Sequence, residues 1–161
     1  MDYKKEDIKI VRLLDILSEP IRNIDSEIAE VDGSFRDLKN RFDSTMEFTA
    51  AMNLIGDFYV TVILGLNRQA LTFIAKNIFG LDIIELGDEE MYIEGAKEYL
   101  NIITGNSKNK LHEAGLDFEL SLPEQMEWGK INEDNSSIFL CRSFTFNNNS
   151  INLIIDVFQE N

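Results

Sequence analysis

Glu94, Glu98, Asn101, Gly105, Lys108 and His112 stand four, three, four, three and four residues apart. Those steps keep side chains on one face of an α-helix. Apart from the glycine, every member of the walk is polar. The opposite face of the same stretch carries Tyr92, Ala96, Leu100, Ile103, Ser107, Leu111 and Ala114, which suits packing on a core. A carboxylate at 98 and a carboxamide at 101 are therefore displayed one turn apart, away from the core, on a rigid element. Spacing alone also describes any amphipathic surface helix. Gly105 adds to it, because an interior glycine costs a helix ~1 kcal/mol relative to alanine and permits close approach of another backbone. His112 is the single histidine, with no second ligand pattern around it, so a metal centre is not expected. Cys141, the single cysteine, reads as packing within a strand.

The elements that must hold this helix follow from period and punctuation. Asp88 is an expected N-cap and Gly115 an expected stop, giving a helix over about 88–114. Upstream, residues 48–54 and 58–66 are rich in β-formers around Ile55-Gly56-Asp57, a hairpin pattern. Asn67 then caps a helix carrying Ala70, Leu71, Ile74, Ala75 and Ile78, with Gly80 as its C′ residue. Near the N-terminus, Ile8, Val11 and Leu14, with Ile10 and Leu17 beside them, form a helical stripe over 7–17 that Pro20 is expected to end. Residues 21–44 are mixed: Ile24, Ile28 and Val31 suggest a helix and Asp32-Gly33 a turn after it. Strands are expected at 117–122, 137–146 and 151–158, the last two joined by a turn over Asn147-Asn148-Asn149-Ser150. In the final strand Ile151, Leu153, Ile155 and Val157 alternate as in a half-buried antiparallel strand. Hairpin-linked strands separated from helices predict an α+β fold, an antiparallel sheet packed against helices, in a single domain over residues 1–161.

Composition narrows the partners. The 161 residues carry a formal charge of −14, which argues against binding a phosphate backbone and against an anionic membrane. One cysteine excludes an internal disulfide. No signal peptide or transmembrane span can be read, so a cytoplasmic location is expected.

The text around the polar stripe, Glu98-Tyr99-Leu100-Asn101-Ile102-Ile103-Thr104-Gly105-Asn106-Ser107-Lys108, resembles the signature helix of the CheX phosphatases, relatives of CheC. Their shared pattern is an acidic or Ser residue, then Glu four positions on, then Asn three further; Glu94, Glu98 and Asn101 match it. Leu111-His112-Glu113-Ala114-Gly115-Leu116-Asp117-Phe118, followed by Leu120-Ser121-Leu122-Pro123, is similar to the family's passage into the next strand. The resemblance covers about residues 46–158. It implies a phosphatase that hydrolyses the aspartyl phosphate of a CheY-type response regulator. Asn101 would position the attacking water and Glu98 would pair with the regulator's active-site lysine. Glu94, Lys97, Gly105 and Lys108 would touch the partner. No cofactor is expected on this chain, since the regulator carries the Mg ion.

Two departures accompany the resemblance. Lys97 stands where CheX usually has Gly, and Glu94 where Asp is commoner. Lys97 could obstruct the docked partner, pair with Glu94, or swing clear. It favours the alternative of a non-catalytic CheX-like module that binds a regulator or a flagellar motor component. CheC-type relatives can carry a second motif on the first helix, where this chain has Asp15, Glu19 and Arg22 around Pro20, so one site is expected. CheX proteins form homodimers through their sheets. Here the strands 137–146 and 151–158 are long and apolar and are expected to need pairing at a free edge, hence a two-fold homodimer.

Overall fold

Seven strands, all paired antiparallel, form one sheet in the order β1-β6-β7-β3-β2-β4, with β5 also pairing β2. The computed structural model describes residues 5–42, 46–80, 88–132 and 137–158. In chain order the elements are α1 (Lys5–Arg22), β1 (Ala29–Gly33), α2 (Phe35–Phe42), β2 (Phe48–Gly56), β3 (Tyr59–Leu66), α3 (Arg68–Asn77) and α4 (Glu89–Glu113). They continue with β4 (Phe118–Leu120), β5 (Glu124–Met126), a 3-10 turn (Trp128–Lys130), β6 (Ser137–Phe146) and β7 (Asn149–Phe158). The fold is α+β, as the segregation of hairpins and helices predicts.

Caps and turns fall largely where the residues dictate. The Asn67 side chain accepts from the Ala70 N–H at 2.9 Å and starts α3. The Asp88 side chain accepts from the Glu90 N–H at 3.0 Å and starts α4. Gly115, at φ +78°, ends α4, and the Leu116 N–H reaches back to the Leu111 carbonyl at 2.8 Å, as left-handed helix stops require. Gly80 is also left-handed, but it lies two residues past the Ile78 cap, and the connection expected after it lies outside the described residues. The four-residue turn at 147–150 tightens to Asn147-Asn148, both at positive φ, a hairpin geometry that asparagine tolerates.

The N-terminal third departs most from expectation. Pro20 does not end α1, which runs on to Arg22. Proline removes the N–H that the Ile16 carbonyl would accept, and Ser107 Oγ on α4 stands 3.5 Å from that carbonyl. The stripe is also rotated: Ile10, Leu13, Leu14, Leu17 and Ile21 are buried while Ile8 and Val11 are exposed. Residues 24–31 form no helix. Instead β1 pairs with β6, from Ala29 opposite Thr145 to Gly33 opposite Cys141, and Ser34 accepts from the Asp37 N–H at 3.1 Å to open α2. Cross-strand charge favours the strand, since Asp32 receives two hydrogen bonds from Arg142, at 2.6 and 3.2 Å.

Downstream, β4 is shorter than the expected 117–122 segment, and β5 and the Trp128 turn were not anticipated. They matter because they cover the second face of the sheet. Trp128, Phe35, Leu38 and Phe42 bury Ile63, Cys141 and Ile154 there, while α1, α3 and α4 close the first face. The final strand is therefore buried on both sides, Ile151 to Ile155 without a break, and not half-buried. Both β6 and β7 are interior strands, so the free edge expected to drive dimerisation is already occupied by β1. Gly65 permits this second layer, since a methyl there would come within 2.7 Å of the Trp128 ring. Gly65→Ala is expected to cost about 1–3 kcal/mol through overpacking. Urea denaturation checks it, and an unshifted midpoint would mean that Trp128 does not seat on β3.

Candidate functional site

The site is built on α4, whose inner face leaves it little freedom. Tyr92, Ala96, Tyr99, Leu100, Ile103, Thr104, Ser107 and Leu111 are buried, and each large apolar side chain contributes roughly 1.5–3 kcal/mol to seating the helix. Thr104 and Ser107 satisfy their hydroxyls on the Leu100 and Ile103 carbonyls one turn back, at 3.0 and 2.7 Å. The Tyr99 hydroxyl is buried without a hydrogen-bond partner among the described residues, and burial pushes its pKa up. At the N-terminal end Arg68 lies over the Tyr92 ring at 4.5 Å and the Phe48 ring at 5.1 Å. Its guanidinium also meets Glu47 at 3.1 Å and Glu89 at 3.3 Å. Toward the other end Lys110 forms an ion pair with Glu19 of α1.

The outer face carries the stripe as its spacing predicts: Glu94, Glu98, Asn101, Gly105, Lys108 and His112 are all exposed. The structure then divides them in a way periodicity cannot. Glu94 accepts from Lys97 Nζ at 3.1 Å, so of the three dispositions open to Lys97 the molecule adopts the pair. Because Glu94 lies three residues earlier, this draws the ammonium toward the helix N-terminus, away from Asn101. His112 Nδ1 lies 2.5 Å from Asp117 Oδ1, and that hydrogen bond raises the imidazole pKa above its ordinary value. In contrast, the side chains of Glu98, Asn101 and Lys108 make no hydrogen bond or ion pair among the described residues. A Cβ at Gly105 would meet nothing within 4 Å, so no backbone among the described residues makes the close approach that its glycine permits.

The first helix holds no second copy of this arrangement. Asp15 is engaged by Arg142 at 2.8 Å, Glu19 by Lys110, and Arg22 by Glu30 at 2.5 and 2.7 Å. Sequence reasoning did not find a cleft of about 510 Å³ beside the last turns of α4, lined by Lys108, Leu111, His112, Leu116, Phe118 and Leu120 among others. It depends on β4 pairing with the end of β2, where Gly56 is needed because a Cβ would meet the Asp117 carbonyl oxygen at 2.1 Å. Among the described residues no three His, Cys, Asp or Glu side chains gather to hold a metal ion, and no helix is long and apolar enough to cross a membrane.

This architecture is that of the CheC/CheX group of folds. A CheC-like protein from Shewanella oneidensis superposes with a TM-score of 0.72 at 16% identity, covering 94% of this chain and 98% of that one. The CheX protein of Vibrio vulnificus gives 0.69 at 17% identity, over 89% and 95% of the two chains. A CheX from Borrelia burgdorferi, solved as a CheX–CheY–BeF3–Mg complex, gives 0.67 at 22% identity, over 94% and 98%. No curated protein matches the chain significantly. The family model for chemotaxis phosphatase CheX matches residues 48–141, more than half of the sequence, and the chain belongs to that family.

The His112–Asp117 pair has a pH signature. The raised folded-state pKa means that its stabilising effect is present in full below the unfolded value near 6.5 and is lost as pH rises through the folded value. An NMR titration of His112 is expected to show a midpoint above 6.5, and Asp117→Asn to lower it. A midpoint at or below 6.5 in the unaltered chain would show that the pair does not form.

Proposed function

We propose that this chain hydrolyses the aspartyl phosphate of a CheY-type response regulator. The observation that carries the reading is that Glu98 and Asn101 are exposed one turn apart on a well-packed helix, and neither side chain has a partner among the described residues. Family membership and the Borrelia burgdorferi complex, in which a CheX protein holds CheY with BeF3 and Mg, support the choice of partner. In the reaction a water attacks phosphorus in line, the bond to the aspartyl oxygen breaks, and inorganic phosphate and a carboxylate result. Phosphoryl transfer of this kind depends on positioning and charge stabilisation more than on covalent chemistry. The carboxamide of Asn101 both donates and accepts, so it can fix a water in line. Orientation of this kind draws on the ~7–11 kcal/mol available from proximity.

Glu98, as an ionised carboxylate, would pair with the regulator's active-site lysine through a charge-assisted hydrogen bond. The regulator would supply the Mg ion, and this chain no cofactor. Glu94, Lys97, Gly105 and Lys108 would line the contact, and the Glu94 tether keeps the Lys97 ammonium off the Asn101 side. Activity would lie in the cytoplasm, where such regulators act.

Asn101→Ala is expected to reduce phosphate release from a phosphorylated CheY-type regulator by on the order of 100-fold, with stability within ~0.5 kcal/mol of the parent. Glu98→Ala should both slow hydrolysis and weaken binding of the phosphorylated regulator, moving saturation to higher regulator concentration. Wild-type turnover in Asn101→Ala would remove the water-positioning role. Binding of the regulator with no phosphate release by the unaltered chain would identify the non-catalytic alternative.

The reading includes a two-fold homodimer, by a changed route. With β6 and β7 interior, strand pairing between copies has to use β1 at one end of the sheet or β4 and β5 at the other. Sedimentation equilibrium is expected to give twice the 18.5 kDa of one chain, and a mass staying at one chain over a wide concentration range would exclude the dimer.

A further inference from the structure

Lys108 and the cleft beside it lie outside the chemistry assigned to Glu98 and Asn101, yet they share its face. Seven residues separate Lys108 from Asn101, two turns or about 10 Å along the axis. The other basic side chains of the last three turns are engaged within the chain: Lys110 with Glu19, and His112 with Asp117. Lys108 is exposed and has no such partner among the described residues, in a chain whose net charge is −14. Next to it, Leu111, Leu116, Phe118 and Leu120 supply the apolar part of the cleft of about 510 Å³, whose wall also holds Asp117, paired with His112, and Glu119.

We propose that this cleft is the second anchor for the same regulator, receiving an apolar side chain that stands beside a carboxylate, with the carboxylate meeting Lys108. The proposal rests on the functional reading above and adds the sense in which the partner docks. Along the stripe the unpaired groups run from an anion at Glu98 to a cation at Lys108. A partner laid down in reverse would set its lysine against Lys108 and its carboxylate against Glu98, and like-charge contacts of that kind are strongly disfavoured. Of the basic side chains of α4, Lys97, Lys110 and His112 are already paired with acids of this chain, which leaves Lys108 to meet a partner's carboxylate. One contact at Asn101 would leave the partner free to rotate about it; a second, two turns away, removes that freedom and tightens binding.

The test is steady-state phosphate release from a CheY-type regulator phosphorylated by a small-molecule phosphodonor. The variants are Lys108→Glu, Lys108→Arg and Asn109→Trp, the last placing a ring from an exposed position that lines the cleft. Thermal melts establish that all three fold. Lys108→Glu and Asn109→Trp are each expected to raise KM about tenfold with kcat within twofold of the parent, and Lys108→Arg to keep the parental KM. Unchanged KM in both, with the parent active and Asn101→Ala strongly impaired, overturns the cleft and leaves the functional reading standing. A rise confined to Lys108→Glu overturns it too, because the cleft would then be empty. A parent that releases no phosphate and does not bind the beryllofluoride-activated regulator overturns both.

Discussion

Burial of one face of α4 against β2 and α1 is the constraint on which the site depends. Leu100 and Ile103 have no exposed surface, and Tyr99 and Ser107 have almost none. Rotating the helix by one residue would move about 100° of its circumference, exposing that apolar surface and burying Glu98. The rotational setting of the helix, and with it the direction of Glu98 and Asn101, is therefore decided by hydrophobic packing on the far side. The Arg68 clamp at one end and the left-handed stop at Gly115 fix its two ends in the same way, so the polar face needs no internal bonds of its own to stay in place.

A second constraint is the use of charge. Arg142 is the clearest case: a nearly buried guanidinium that holds Asp15 of α1 and Asp32 of β1 together at 2.8 and 2.6 Å. Removing either carboxylate would leave a nearly buried cation short of one of its partners, so those acids are committed to the fold. The same holds, more weakly, for the exposed pairs of Glu19 with Lys110 and Arg22 with Glu30, since surface ion pairs contribute little each. Glu98, Asn101 and Lys108 differ from these acids and bases in having no side-chain partner among the described residues. Polar groups on a rigid surface without internal partners keep their full capacity for an external one.

The relation to the family sharpens this. The first helix, where relatives of the CheC type can carry a second motif, here spends its polar positions on Arg142, Lys110 and Glu30, and its proline is absorbed into the last turn. Structural neighbours at 16–22% identity share the architecture, so the fold tolerates wide change in composition as long as the sheet order and the seating of the long helix survive. Lys97 shows how a departure from the family pattern is accommodated. Its side chain is partly buried and its charge is taken by Glu94, one turn toward the N-terminus.

Residue order alone was enough for the long helix, its two ends, its polar stripe, the β2–β3 hairpin and the α+β class. Each of these rests on interactions between residues close in sequence: i to i+4 periodicity, a capping side chain, a glycine or asparagine at positive φ. What it could not determine was decided by contacts distant along the chain. Ile24 to Val31 have a helical spacing, yet residues 29–33 became a strand because β6 offered a partner and Arg142 a cation. Pro20 has the chemistry of a helix stop, yet α1 continues because Ile21 has a place in the core and Ser107 reaches the orphaned carbonyl. Alternation in β7 predicts one wet face, and only the return of Trp128 and α2 over the sheet dries it. The candidate site divides along the same line. Which side chains face outward is a matter of period, whereas which of them are left unpaired, and that a cleft opens beside Lys108, depends on where α1, β4 and Asp117 come to rest.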